Sequence, residues 1–216
     1  WELQCVDISS KKIKWKVNFL DPKFKSYSSE GKTLEIEKII GVDRNELLIG
    51  CTENILLLVS IKNGSVLKKW HEVNNEKGGF LLPTTYTFQL SKDNQSMFSI
   101  VERKLVLVKL SSYAIVTYNL EDQLAKNNID NLRWSSGYAE DTENIYTIGE
   151  MQQDYFSTDY IPQCILAINK TTYKISWVHR FVDDGINTDV PVINGNKLYQ
   201  LSSNKSLYIF YINNVC

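Results

Sequence analysis

The segment Val59-Ser60-Ile61-Lys62-Asn63-Gly64-Ser65-Val66-Leu67-Lys68-Lys69-Trp70 decides how this chain folds. An aliphatic strand enters, a short polar turn reverses it, and the returning strand carries an aromatic residue at its end. The arrangement recurs as Val6-Asp7-Ile8-Ser9-Ser10-Lys11-Lys12-Ile13-Lys14-Trp15 and as Val108-Lys109-Leu110-Ser111-Ser112-Tyr113-Ala114-Ile115-Val116-Thr117-Tyr118. A fourth copy reads Ala167-Ile168-Asn169-Lys170-Thr171-Thr172-Tyr173-Lys174-Ile175-Ser176-Trp177. The aromatic anchors Trp15, Trp70, Tyr118 and Trp177 are therefore 55, 48 and 59 residues apart. A final segment, residues 197–213, supplies the strands that precede a fifth copy.

Short β-branched and aromatic runs bounded by polar clusters fill the sequence between the anchors. Residues 3–8, 13–19, 34–40, 47–51, 55–61 and 66–70 make six such runs within the first 70 residues. That density predicts an all-β chain. The exception is Glu121-Asp122-Gln123-Leu124-Ala125-Lys126, whose acidic start and basic end fit a helical turn. A period of roughly 50 residues with about four strands per unit predicts β-propeller blades of four antiparallel strands rather than a sandwich. Asp43-Arg44-Asn45-Glu46, Lys92-Asp93-Asn94-Gln95, Glu140-Asp141-Thr142-Glu143 and Asn194-Gly195-Asn196 fall at the first turn of each unit, where Asx side chains close the turn in place of glycine. The expected organisation is one domain over residues 1–216, with full blades near 34–72, 79–120 and 132–181 and partial blades at 1–19 and 189–213. If the end strands pair, the four blades close into a ring; if they do not, they form an arc of a larger propeller.

These repeats resemble the PQQ-like repeat, the blade of quinoprotein-type β-propellers, and more loosely the WD40 blade. The resemblance rests on alternating apolar residues, an Asp or Asn, a short Ser/Thr/Gly/Lys turn and then aliphatic-x-Trp, and it covers nearly the whole chain. The hairpin glycine is kept at Gly64 and replaced by Lys12, Tyr113 and Tyr173 in the other copies, and the third anchor is Tyr118 in place of Trp. It implies that the anchors pack at equivalent positions between successive sheets. For activity it implies a quinone and calcium in the central funnel, with a vicinal Cys-Cys pair common near the cofactor. The four cysteines here, Cys5, Cys51, Cys164 and Cys216, contain no adjacent pair, so neither catalysis nor a cofactor is expected.

Composition narrows the function classes further. With 24 basic and 25 acidic side chains the formal charge is −1, which argues against a chain built to grip nucleic acid or an anionic membrane. The longest unbroken aliphatic run, residues 55–59, is far short of the roughly 18–20 residues of a membrane helix. The cysteines lack metal-type spacing, and three of them lie in apolar strand-like runs where buried inert thiols are expected. The chain opens on Trp1 already within a strand, as a mature product or fragment does, and carries Asn-x-Ser/Thr sequons at Asn63, Asn94, Asn169 and Asn204. These favour a secretory or extracytoplasmic compartment slightly over the cytoplasm.

Candidate chemistry is sparse. Gly31-Lys32-Thr33 has the ending of a phosphate loop, but Ser26 stands where the earlier glycine belongs and a strand-like alternation follows in place of a helix. Asp183-Asp184-Gly185 offers too few spaced oxygens for a calcium loop. The two histidines, His71 and His179, follow anchors in two repeats and read as a repeat feature rather than catalytic bases. No catalytic, cofactor-binding or metal-binding residue is expected. In the alternative of a quinone- or small-ligand-binding enzyme using the funnel, Glu35, Glu37 and Asp189 on first strands are the candidates.

The outlier is the long insertion 151–162, several times longer than its counterparts Thr52-Glu53 and Glu102-Arg103. Its residues Asp154, Tyr155, Phe156, Asp159 and Tyr160 have the aromatic-plus-acid composition of a recognition surface. It is expected near Asn127-Asn128 and residues 182–184. The sequence thus points to a noncatalytic propeller scaffold that presents a loop-rich face to a protein or peptide partner.

Overall fold

The computed structural model describes residues 2–25, 27, 33–70, 85–133, 138–152, 160–181, 186 and 189–212. The chain divides into two compact units, Trp1–Leu90 and Ser91–Cys216.

In the first unit β1 (Glu2–Asp7) and β2 (Lys12–Asn18) form a hairpin, followed by a short helix, α1 (Pro22–Lys25). Next comes a four-stranded antiparallel sheet in chain order, β3 (Ile36–Asp43), β4 (Glu46–Cys51), β5 (Ile55–Ser60) and β6 (Val66–Trp70). A 3₁₀ turn, Thr85–Thr87, and β7 (Gln89–Leu90) end the unit. The second unit opens with β8 (Ser96–Val101), β9 (Lys104–Lys109) and β10 (Ile115–Asn119), again paired in chain order. The helix α2 (Glu121–Lys126) covers the residues whose charge pattern predicts it. It leads into a sheet of β11 (Asn131–Leu132), β12 (Ala139–Glu140), β13 (Asn144–Gln152), β14 (Tyr160–Asn169) and β15 (Ile175–Arg180), with β11 and β12 both paired to β13. Three more strands follow: β16 (Val192–Asn194), β17 (Lys197–Leu201) and β18 (Leu207–Tyr211).

The middle strands are apolar on both faces because both faces are covered. Leu48, Ile49, Leu56, Leu57, Leu58 and Val59 of β4 and β5 are all buried, as are Met97, Phe98, Ile100 and the run from Leu105 to Val108 in β8 and β9. In the first unit Leu3 and Val17 of the hairpin join Ile49, Ile55 and Leu57 in one core. In the second, Phe98, Leu105 and Leu107 pack with Leu166 and Ile168, and Leu124 of α2 plugs the same layer. A separate core joins Ile165 and Ala167 to Leu198.

The repeat survives at the level of single hydrogen bonds. The residue after each third strand donates its N–H to the turn between the first two strands: Ile61 to Asn45 (3.0 Å), Leu110 to Gln95 (2.9 Å), Lys170 to Glu143 (2.6 Å) and Ile212 to Asn196 (2.7 Å). Within the next turn, Gly64, Tyr113 and Tyr173 donate to the carbonyls of Ser60, Lys109 and Asn169, and all three have φ between 54° and 74°. In the first copy the residue with positive φ is Lys11 (55°), not Lys12, which already belongs to β2. The turn is defined by its backbone, and the pattern match places it one residue late.

All four anchors lie on the last strand of their sheets, β2, β6, β10 and β15, but not at one equivalent position. Counted from the paired residues Ile13, Val66, Ile115 and Ile175, Trp15 and Trp177 sit opposite Cys5 and Ala167, one pair along the strand. Trp70 and Tyr118 sit opposite Leu56 and Leu105, three pairs along, on the same face. The anchors lie two, four, three and two residues beyond Ile13, Val66, Ile115 and Ile175, and a bulge that adds Lys14, Leu67 and Ser176 to three of the strands but is missing from β10 brings Trp70 and Tyr118 to the same pair.

Two anchors dock on the turn of the next sheet within their unit. The Trp15 indole donates to the Ile61 carbonyl (2.5 Å), and a Cβ placed on Gly64 would come 2.7 Å from its ring. Tyr118 stacks on Tyr173, the residue in the same turn position, at 4.0 Å and 24°. Gly64 therefore serves twice, through its φ of +74° and through the space it leaves. Gly64→Ala is expected to destabilise the first unit by about 2–4 kcal/mol, combining left-handed strain with a packing clash. Gly195, with φ +60° and nothing within 4 Å of an added Cβ, is the control. Its Ala variant should lose only about 1 kcal/mol in denaturant titration.

Candidate functional site

In the second unit the irregular backbone gathers at one end of the sheets. It comprises the β8–β9 turn, Glu102-Arg103, the segment that runs from α2 to Arg133, and the far end of the β13–β14 hairpin. The turns 110–114, 141–143 and 170–174 lie at the other end, the last two tied by the Lys170 to Glu143 hydrogen bond already described.

Three arginines fasten the connecting segment. Arg103 donates to the Asp130 carbonyl (2.8 Å) and to Glu121 (3.0 Å). The guanidinium of Arg180, at the end of β15, donates to the carbonyls of Asn127 and Asn128 and reaches the Met151 sulfur at 3.4 Å. Arg133 pairs with Glu150 at 2.6 Å, the carboxylate being 9% exposed. Backbone bonds from Leu132 to Glu102 (2.9 Å), Asp130 to Glu150 (3.0 Å) and Arg133 to Ile148 (2.8 Å) complete the attachment. Asn128 takes a positive φ of 47° to make the bend. The segment is irregular in φ and ψ yet heavily bonded, which presents fixed side chains on a loop.

A cavity of about 450 Å³ opens there, lined by Val101, Glu102, Asn131, Leu132, Arg133 and Glu150. The Asn131 side-chain oxygen is buried without a hydrogen-bond partner among the described residues. Nearby, Gly149 permits the strand's close approach: a Cβ there would lie 2.5 Å from the Cys164 sulfur. Burial pushes the Cys164 thiol up to about 11, against the pull of Arg180, and that of Cys51 to about 12, so both are inert.

No protein-family model matches the chain, and a search of the curated proteins finds no match. Solved structures do match. BamB from Moraxella catarrhalis superposes with a TM-score of 0.52 at 15% identity, over 98% of this chain and 52% of that one. Saccharomyces cerevisiae Sqt1 gives 0.57 at 13% identity, over 99% and 54%, and the Myceliophteria thermophila Cps50 (Swd1) β-propeller domain gives 0.55 at 10%, over 99% and 60%. The fold is that of a β-propeller. The chain spans roughly half to three fifths of the length of these neighbours.

Within the propeller the expected recognition residues fall as follows. Asp154, Tyr155, Phe156 and Asp159 lie outside the described residues, and Tyr160 begins β14. Both flanks of the insertion are strand, with Glu150, Met151 and Gln152 paired to Pro162, Ile161 and Tyr160 beyond a bulge at Gly149. Its stem therefore extends the β13–β14 hairpin, and Arg180 brings Met151 to Asn127 and Asn128, the expected neighbours. Residues 182–184, like His71 and residues 31–32, lie outside the description.

The funnel candidates have other surroundings. Glu35 precedes β3, Glu37 is exposed on β3 and bonded to Thr85 (2.5 Å), and Asp189 precedes β16 rather than standing on a strand. His179 lies among Trp177, Phe181, Tyr208 and Phe210, and burial lowers its pKa. Among the described residues no helix is long and apolar enough to cross a membrane. The cavity with Asn131, Arg133 and Glu150 was not legible in the sequence. A short strand of two residues, β11, carries no periodic signal, and neither the orphaned acceptor nor the buried ion pair has a motif.

Proposed function

We propose that the chain is a noncatalytic β-propeller module that mediates protein–protein association through this loop-rich end, within the PQQ-like class its hairpins resemble. The observation that carries the reading is the connecting segment 127–133, whose exposed and half-buried side chains are held in place by Arg103, Arg133 and Arg180 at the mouth of an open cavity. Preorganised loops bind without a large ordering cost. The propeller neighbours are compatible with an interaction role. The aromatics Tyr155, Phe156 and Tyr160, flanked by Asp154 and Asp159, supply the anchoring contacts in this reading.

The test is a triple substitution of Tyr155, Phe156 and Tyr160 to Ser, assayed on the complex purified from its native source. The melting temperature should hardly move, while affinity falls steeply, since interface aromatics commonly contribute about 2 kcal/mol or more each. Strong destabilisation with unchanged affinity per folded molecule would assign these rings to a satellite core and overturn their role.

A further inference from the structure

We infer that Asn63, in the turn between β5 and β6, is an N-glycosylation site whose innermost sugars settle in a groove beside it. The inference stands apart from the interaction reading, and each can fail without the other. Three observations meet at this turn. First, Asn63-Gly64-Ser65 is a sequon, and Asn63 is exposed. Second, the turn uses only one end of the carboxamide. The Asn63 Oδ1 accepts the Ser65 N–H at 3.1 Å and the Ser65 hydroxyl at 2.8 Å, while Nδ2 makes no hydrogen bond among the described residues. A sugar on Nδ2 therefore replaces a hydrogen that holds nothing and leaves the turn's own bonds in place. Third, Asn63 borders an open groove of about 560 Å³, lined also by Lys16, Asn18, Asp21, Phe24 and Tyr27. That volume suits a stem of about two sugar rings. The aromatic rings offer apolar surface to the C–H face of a sugar, and Lys16, Asn18 and Asp21 offer donors and acceptors to its hydroxyls.

The other sequons are arranged differently. Ser96, of the Asn94 sequon, turns its hydroxyl to Ser91 at 3.4 Å. Asn169 is half-buried and holds the N–H groups of Thr171 and Thr172, and Asn204 accepts from the hydroxyl of Ser202 rather than from that of its own Ser206. At Asn63 the chemistry joins Nδ2 to C1 of an N-acetylhexosamine, the first sugar of an oligosaccharide carried on a lipid pyrophosphate. The C1–O bond to the pyrophosphate breaks, the lipid pyrophosphate leaves with its electron pair, and one Nδ2 proton passes to a base of the transferase. The transferase takes the segment extended, before the β5–β6 hairpin closes, so the fold decides whether the product is tolerated. Gly64 is buried against the Trp15 ring, which closes the inner side of the turn and leaves the solvent side to the sugar.

The test is peptide mapping by mass spectrometry of the chain purified from its native source, before and after peptide N-glycosidase treatment in heavy-oxygen water. The unglycosylated peptide containing position 63 should appear only after treatment, with the asparagine converted to an aspartate that carries the heavy oxygen. Ser65→Ala, expressed in the source cells, keeps Asn63 but breaks the sequon, so it should lose this glycan and one step of electrophoretic mobility. An unmodified Asn63 in the native chain, or unchanged mobility of Ser65→Ala, would overturn the site. The groove contact has its own readout. Asn63→Asp keeps Oδ1 for the turn but takes no sugar, which separates the contribution of the glycan from that of the turn. Amide hydrogen exchange over residues 16–25 should be several-fold faster in Asn63→Asp than in the glycosylated chain, and the glycosidase-treated chain should match the variant. Equal exchange with and without the glycan would overturn the groove contact.

Discussion

Replacing Glu140 by Ala is expected to destabilise the second unit by about 3–5 kcal/mol, the cost of leaving a buried charge without its partner. The Glu140 side chain is fully buried and pairs at 2.8 Å with Lys170, itself only 16% exposed. It also accepts the backbone N–H of Lys92 at 2.6 Å, while Lys170 reaches the Asp141 carbonyl at 2.9 Å. One carboxylate thus ties together the first turns of two successive sheets and the turn after β14. Denaturant titration measures the loss. The double variant Glu140→Leu/Lys170→Met should recover much of it, because an apolar pair of similar size removes both desolvation costs. A loss under about 1 kcal/mol for Glu140→Ala would mean that solvent reaches the pair.

The second large effect distinguishes the anchors. Trp70 is 6% exposed and Trp177 is 36% exposed, although the repeat pattern treats them alike. Trp70→Ala should cost about 3–5 kcal/mol as a large-to-small change in a core. Trp177→Ala should cost under about 2 kcal/mol, since its ring meets Phe210 edge-on at 5.3 Å and keeps much of its surface in water. Equal losses would show that an anchor's position along the strand, three pairs against one, does not set which anchor is buried.

The strands were legible because sheet burial leaves its mark on each residue in turn. The runs read at 47–51, 55–61 and 66–70 are β4, β5 and β6 to within a residue. The Asx turns read at 92–95 and 140–143 were legible for the same local reason, the Asp93 and Asp141 side-chain oxygens accepting turn N–H groups at 3.0 Å and at 2.6–2.8 Å; Asn63, Asn169 and Asn204, singled out only as sequon positions, do the same at 2.9–3.1 Å. This turn chemistry also gives those asparagines a structural role independent of their place in sequons. The register of the anchors was not legible, because a single inserted residue such as Lys14 or Leu67 leaves the composition unchanged. Glu140 reads as an exposed turn residue until Lys170, thirty positions away, is folded against it. The same holds for the cavity, whose lining comes from three separate stretches between Val101 and Glu150. Met151, in the stem of the insertion, meets Asn127 and Asn128 at Arg180 as expected, since hairpin order alone fixes which loops share an end of the sheet.

The most direct measurement is amide hydrogen exchange of the chain alone and within the complex isolated from its native source. Binding through the loop-rich end predicts slowed exchange at residues 102–103, 127–133 and 150–162, with little change at the opposite turns 111–114, 141–143 and 171–174. Protection confined to those opposite turns would contradict it.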